Sequence, residues 1–349
     1  MKPGAGPVDV ELLDVRYARA VDRYVATHPD GTPFHETRWL DLVRATFGFA
    51  TKTLVAADRE CIRGVLPLGL VAAPITGRRL VSVPYGVYGG VLASDTEAAE
   101  ALDRAAVELS HELHVRYLEM RYLGAGVTKH ASATIHETYR KDLPETPEEV
   151  LATIPRKARA EVRKGRNKHG LVFTSHPGLL DGFYELYCIN KRQLGSPVFR
   201  KSFFRRALDL YGPRGFLHGV EKDGKLLAAV LSLRGGDTLY PYYSGALPEA
   251  GRLGASNLMY AALMEEAVRL GMKRFDFGRS RIGSGPASFK QHMGFDPTPL
   301  DYQFHFPYGG KPPTLSPGNP AMKLPQLVLS NLPAWMGPLV GPSLMRHVP

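Results

Sequence analysis

At 349 residues, 44% hydrophobic and 22% charged, the chain has the make-up of an ordinary globular protein long enough for two domains. Its formal net charge of +10 favours polyanionic partners such as nucleic acid, anionic lipid or nucleotide-linked substrates. Cys61 and Cys188 are the only cysteines, which excludes a disulfide framework and suggests a reducing compartment, with both thiols expected in a core.

In chain order, Val8–Leu13 alternates as a strand does. Helices are expected over Asp14–Thr27, with Val15, Ala18, Val21 and Val25 on one face, and over His35–Phe47, carrying Trp39, Leu40 and Val43. Strands follow at Thr51–Ala57, Cys61–Ala73 and Arg79–Pro84, then a glycine-containing loop, a helix at Glu97–His114 and a strand at Tyr117–Tyr122. The second half repeats this order. Leu171–Ser175 reads as a strand, and Leu179–Lys191 and Lys201–Tyr211 as helices. Phe216–Glu221 and Lys225–Leu233 are strands joined by Asp223-Gly224, a strong hairpin signal. A strand at Thr238–Ser244, a helix at Asn257–Leu270 and a strand at Lys273–Phe277 complete the repeat, at a period of roughly 160 residues by this pattern reading.

Lys141–Val150, rich in Pro, Glu and Thr, is the expected boundary between the halves, giving a first domain of residues 1–150 and a second of 151–306. The proline clusters of Pro307–Pro320 mark another boundary, and the 307–349 tail is expected to join the first domain. Within it, residues 324–348 interleave Leu, Val, Trp335 and Met336 with prolines, so short apolar turns could instead lie on lipid headgroups, with Lys323 and Arg346 meeting anionic lipid. The opening Met1–Pro7 has no apolar run behind it, and no stretch reaches the ~18 apolar residues of a spanning helix. A cytoplasmic protein is expected, or one at the cytoplasmic face of the inner membrane.

The most informative stretch runs from Asp237 to Phe295. Pro241 lacks an N–H inside the first strand, so a bulge or splay is expected there. Ser256 is placed to cap the following helix and Gly271 to end it. A splayed strand beside a helix N-terminus leaves amide groups for an acyl carbonyl or a phosphate. This order of elements, with the loop Arg252-Leu253-Gly254-Ala255-Ser256, resembles the donor-binding half of the GNAT acyltransferase fold. The Lys273–Gly278 strand followed by Phe289-Lys290 resembles the FemAB group of aminoacyl transferases, in particular the variants associated with exosortase and exopolysaccharide systems. The resemblance implies an α/β (α+β) protein of two tandem GNAT-like units, each a mixed, mainly antiparallel sheet flanked by helices. It also implies amide formation from an activated ester, aminoacyl-tRNA or acyl-CoA, onto an amine of a cell-envelope or exopolysaccharide precursor. The second unit would be the donor and catalytic half, because the first has Leu92-Ala93-Ser94-Asp95 where the second has its loop.

On that resemblance Phe289 and Lys290 match the Fem-type pair that stabilises the tetrahedral oxyanion. By residue type alone, a solvated helical Lys beside a core Phe fits the same pair. Asp276 could take or orient the proton of the attacking amine, or bond its own turn or Arg279. Tyr242, Arg252, Gly254, Ala255 and Ser256 are the candidate donor-binding residues. Tyr240 and Tyr242 should share one strand face and Tyr243 the other. The basic run Ile154–Gly170 includes Arg156, Arg159, Arg163 and Lys164, suited to phosphate contacts with a polyanion, with Arg156 and Arg159 expected to face inward. Arg38 and Arg44 are candidates for gripping an acceptor phosphate. No histidine falls in a defensible Ser/His/Asp or metal-ligand spacing, so neither a metal nor a bound cofactor is expected. Leu179–Tyr211 is too short for the helical hairpin with which some Fem-type proteins hold tRNA. Two other readings fit the same residues: a CoA-dependent N-acyltransferase of a small molecule, and a non-catalytic module docking on polyanions or membrane.

Overall fold

The computed structural model describes residues 8–58, 61–73, 77–124, 126, 129–312, 327–333 and 335–347. The expectations for Met1–Pro7, for Lys323 and for most of the Pro307–Pro320 boundary lie outside these residues. The described chain divides into two compact units, one drawn from residues 1–135, 299–314 and 346–349, the other from 136–298 and 315–345.

The first unit contains β1 (Asp9–Leu12), α1 (Ala18–Thr27), α2 (Thr37–Phe47), β2 (Ala50–Ala57), β3 (Ile62–Ala73) and β4 (Gly77–Ser82). The short β5 (Leu92–Ala93), α3 (Thr96–Glu112), β6 (Tyr117–Leu123) and β7 (Ala131–Ala133) follow. Its sheet runs β1-β2-β3-β4-β6, with β4 and β6 parallel and the other neighbours antiparallel. Asp95 starts α3 by accepting from the Ala98 amide at 2.9 Å. Ala98, Leu102, Ala106 and Leu109 then recur at helical spacing and bury against the sheet's Leu54, Leu66 and Leu118.

The second unit contains β8 (His136–Asp142), α4 (Arg156–Arg163), β9 (Val172–Ser175), α5 (Leu180–Gln193) and α6 (Lys201–Tyr211). Next come β10 (Gly215–Lys222), β11 (Lys225–Gly235), β12 (Thr238–Ala246), α7 (Ala250–Leu253) and α8 (Ala255–Arg269). The unit ends with β13 (Arg274–Arg281), α9 (Gly285–His292) and a tail helix, α10 (Gly337–Met345). The order is β9-β10-β11-β12-β13-β8, again with a single parallel pair, β12 with β13. The expected hairpin is present: Asp223 and Gly224 both take positive φ, 51° and 77°, and join β10 to β11. Leu258, Leu263 and Met264 of α8 pack with Phe275, Phe277 and Phe295 in this unit's core.

The two sheets repeat one plan, but each takes its last strand from the other half of the sequence. β8 pairs with β13, whereas β14 (Pro297–His305) pairs with β6 from Leu300–Leu123 to His305–Leu118. The chain thus passes from one unit to the other at Ile135–His136, ahead of the Pro/Glu/Thr-rich stretch.

Three expectations need correction. Cys61 is exposed, because β3 begins one residue later and leaves Cys61 outside the strand, with its amide bonded to the Asp58 carboxylate; Cys188 is half-buried on α5. The tail is divided: its helix lies in the second unit against α5 and the segment after it, where Gly341 has no side chain and a Cβ would sit 2.6 Å from Val198 Cγ2, whereas in the first unit Arg79 donates to the His347 carbonyl at 2.9 Å. Tyr242 and Tyr243 do not point to opposite faces: their rings are in edge contact at 4.7 Å, because the strand bulges between them and their partners.

Candidate active site

β12 and β13 pair at only two positions, Thr238–Arg274 and Leu239–Phe275, and then part. Each strand has a local cause for bending. In β12, Leu231 faces Tyr243 and Ser232 faces Pro241, so Tyr242 is an extra residue beside the proline. In β13, Gly278 takes φ 66°, a conformation a side chain resists, and the register against β8 shifts between Asp276 and Arg279. A cavity of about 330 Å³ occupies the gap. Pro241–Ala246 form one wall and Phe277, Arg279 and Ser280 another, with Ser256 of α8 and Phe289 and Lys290 of α9 at its sides.

Lys290 is 8% exposed. Its Nζ donates to three successive carbonyls of the bent strand: Phe277 at 3.0 Å, Gly278 at 2.8 Å and Arg279 at 3.2 Å. Only a kink at Gly278 turns neighbouring carbonyls toward one point, since they alternate in a regular strand. The ammonium also lies 5.3 Å from the Tyr139 ring centroid and 5.8 Å from that of Phe277. Burial pushes Lys290 down to about 7, while Asp276 and Glu137 pull it back up. Asp276 is fully buried and is pushed by burial up to about 7, opposed by its bond from the Gly278 amide at 2.8 Å and by Lys290. Arg140 Nε stands 3.3 Å from the second carboxylate oxygen. Asp276 therefore braces the kink and balances Lys290, and is not itself among the residues lining the cavity.

The structure gathers some predicted site residues and separates others. Phe289, Lys290, Tyr242 and Ser256 line one cavity. The helix α8 begins at Ala255 with Gly254 as its cap, so Ser256 sits in the first turn rather than capping it. Gly254, at φ 72°, and Ala255 are buried, and a Cβ on Gly254 would stand 2.5 Å from the Glu161 carbonyl oxygen of α4. Arg252 is exposed and outside the lining. In the basic segment the inward residues are Ala158, Val162 and Gly165, not Arg156 and Arg159, because small side chains let α4 lie against the start of α8. Arg156 and Arg163 are exposed, Arg159 is half-buried, and Lys164 pairs with Glu161 at 3.3 Å. In the first unit, Arg38 is tied to Glu36 at 2.8 Å and Arg44 to Asp41 at 2.6 Å.

Sequence reasoning missed Tyr139, Arg140 and Lys191. The first two lie on β8, whose polar sequence His-Glu-Thr-Tyr-Arg-Lys-Asp gives no strand signal. Lys191 had a usable signal: it continues the buried α5 stripe of Phe183 and Tyr187 at four-residue spacing, yet it is charged. At the β4–β6 pair of the first unit, the Gly89 and Gly90 amides both bond the Arg121 carbonyl, and the Arg121 guanidinium donates to the Gly86 carbonyl at 2.9 Å.

Residues 155–291 match the acetyltransferase (GNAT) domain family. The second unit carries a GNAT acetyltransferase domain. Among solved structures, FemX superposes on this chain with a TM-score of 0.65 at 16% identity, over 84% of this chain and 97% of that one. A tandem GNAT protein from the clavulanic acid biosynthesis pathway gives 0.55 at 13% identity, over 87% and 100%. The C-terminal domain of a putative lysylphosphatidylglycerol synthetase from Agrobacterium fabrum gives 0.52 at 14% identity, over 82% and 90%. At these identities the likeness is one of fold. A search of curated proteins finds no match to the sequence. Among the described residues, no helix is long and apolar enough to cross a membrane.

Proposed function

We propose that the cavity moves an aminoacyl or acyl group from an activated ester, an aminoacyl-tRNA or an acyl-CoA, to an amine on a cell-envelope or exopolysaccharide precursor at the cytoplasmic face of the membrane. The observation that carries this reading is the buried Lys290 ammonium held at the parting of β12 and β13. Attack of an amine on the ester carbonyl gives a tetrahedral oxyanion, whose collapse keeps the new C–N bond, breaks the C–O bond to tRNA or the C–S bond to coenzyme A, and leaves the amine's proton on the departing hydroxyl or thiol. Lys290 exchanges one of its three strand carbonyls for that oxygen, and the rest of its cage keeps it aimed. The Tyr242 bulge and the first turn of α8 flank the donor, and the exposed Arg156 and Arg163 hold a polyanionic partner without reading its identity.

Acyl-CoA is the favoured donor over tRNA on one observation: α5 and α6 are the only helices between Leu179 and Tyr211, so no additional hairpin is present to hold tRNA. The test has two steps. A true donor binds the native state and raises the unfolding midpoint, so acetyl-CoA, longer acyl-CoA and charged tRNA are compared by thermal shift. The donor that binds is then incubated with candidate amines, and mass spectrometry looks for the amide. Failure of every donor to raise the midpoint and to yield amide refutes the proposal.

A further inference from the structure

The tail helix of the second unit is apolar on both sides. α10, with the sequence Gly-Pro-Leu-Val-Gly-Pro-Ser-Leu-Met, carries no charged residue. Gly341 and Pro342 are buried on the side that meets Val198. Leu339, Val340 and Leu344 fall on the opposite side at helical spacing and are exposed, Leu339 by 67%. Trp335, just before the helix, is exposed to the same 67%. A helix apolar all round is buried in something, and an exposed apolar surface of this kind marks an interaction site. Between α5 and the tail lies a cavity of about 420 Å³, with Ile189, Val198, Leu329, Leu332 and Trp335 in its lining. Its hydroxyls are already engaged: Tyr184 donates to the Phe199 carbonyl at 3.0 Å and Ser196 to the Leu194 carbonyl at 3.5 Å. Glu185 and Arg192, one of each sign, are the only charged lining residues, so the cavity suits hydrocarbon rather than a polar ligand. Trp335, lining it while largely exposed, stands at its mouth.

Charge selects the occupant. No Asp or Glu follows Asp301, and Lys311, Lys323 and Arg346 are the charged residues beyond it. Arg346 is exposed one residue past α10. An acid-free apolar segment with cations around it, on a chain of net charge +10, complements an anionic bilayer. A second copy would bring the same cations and no acid to this face, so self-association through it is opposed. We propose that the tail docks peripherally on an anionic lipid bilayer, with Trp335 at headgroup level and a lipid hydrocarbon chain entering the cavity behind it. α5 borders both cavities, through Tyr187, Asn190 and Lys191 on the catalytic side and Glu185, Ile189 and Arg192 on this one. One helix therefore separates the docked lipid from the proposed reaction. The inference rests on that reading for the membrane location and not for the transfer chemistry.

The test is flotation of the full chain with vesicles of mixed phosphatidylcholine and phosphatidylglycerol, and of phosphatidylcholine alone, with no acyl donor present. Trp39 and Trp335 are the only tryptophans, and Trp39 is fully buried, so a fluorescence change on binding reports the tail. The protein should float with the anionic vesicles, less so at high salt. Trp335 emission should shift to the blue and be quenched by phosphatidylglycerol brominated in its acyl chains, and Trp335→Phe should remove that signal. The double variant Leu339→Ser/Leu344→Ser, at exposed positions, should keep the wild-type unfolding midpoint and need about tenfold more lipid for half-binding. Failure to float with anionic vesicles, equal half-binding by the double variant, or binding that leaves Trp335 unquenched overturns the proposal. So does binding lost only in Arg156→Gln/Arg163→Gln on α4, or a dimer in place of vesicle binding that the double variant dissolves. Amide formation by protein that binds no vesicle would leave the reaction standing and remove the docking face. Vesicle binding in the expected pattern without amide from any donor would do the reverse.

Discussion

Replacing Lys290 by Met keeps the apolar stem and removes the ammonium, with consequences for both rate and stability. For rate, loss of one charged donor to a developing oxyanion costs about 3–4 kcal/mol, so turnover should fall by about 10²–10³. For stability, the carbonyls of Phe277, Gly278 and Arg279 lose their shared donor. A buried carbonyl left unpaired costs about 1–3 kcal/mol, and because a bent strand relaxes, a total of roughly 2–5 kcal/mol is expected. The pH dependence is the sharper signature. Asp276 rises from 3.8 to about 7 on folding, so its protonated form is favoured in the native state. Its contribution is full below pH 3.8 and is lost as pH rises through 7, about 4 kcal/mol in all. Lys290 falls from 10.5 to about 7, so its contribution is full above 10.5 and is lost as pH falls through 7, by a similar amount. Together they give a stability minimum near pH 7. Lys290→Met should lose the recovery above pH 7 and keep the decline below it, moved upward because Asp276 has lost its cation. Urea unfolding across pH, with turnover measured on protein shown to be folded, checks both. A folded variant with near wild-type turnover, or one whose stability still recovers above pH 7, would refute the assignment.

Gly278→Ala forces a side chain into φ 66° and should destabilise by about 1–2 kcal/mol while lowering turnover, because the carbonyls no longer converge on Lys290; urea midpoints and rates test this. Gly254→Ala places a Cβ 2.5 Å from the Glu161 oxygen at φ 72°, so a loss of roughly 2 kcal/mol or more is expected in urea unfolding, with α4 displaced from α8. His35 is buried between Thr32 and Gly90 and is held down to about 4 by burial. Its neutral form is favoured on folding, so stability should fall by about 3 kcal/mol as pH drops from 6.5 to 4, and His35→Asn should lose that part of the acid sensitivity in pH-dependent unfolding.

Much of this fold is written in local patterns. The Asp223-Gly224 turn, the apolar period of α3 and the break at Pro241 each follow from one or a few residues, and each is found where those residues place it. The placement of Lys290 in the same cavity as Tyr242 and Ser256 was also legible, through the order of elements rather than through Lys290 itself. What escaped is non-local. β8 and β14 owe their strand state to partners far along the chain, and the segment of β8 is mostly polar. The kink at Gly278 is visible as a glycine, but the convergence of its carbonyls on a lysine twelve residues later is a three-dimensional fact. The inward face of α4 was misjudged because a count of charges hides the small residues between them.

The exchange of terminal strands ties the two halves of the sequence together during synthesis. A ribosome that has released residues 1–135 has made a sheet whose β6 edge still lacks its neighbour, and that edge stays open until residues 297–305 emerge. A gene cut between the repeats would produce two fragments, each with the wrong last strand and a bare edge ready to pair with another molecule. The duplication can therefore diverge in its loops and clefts, but its halves cannot part company.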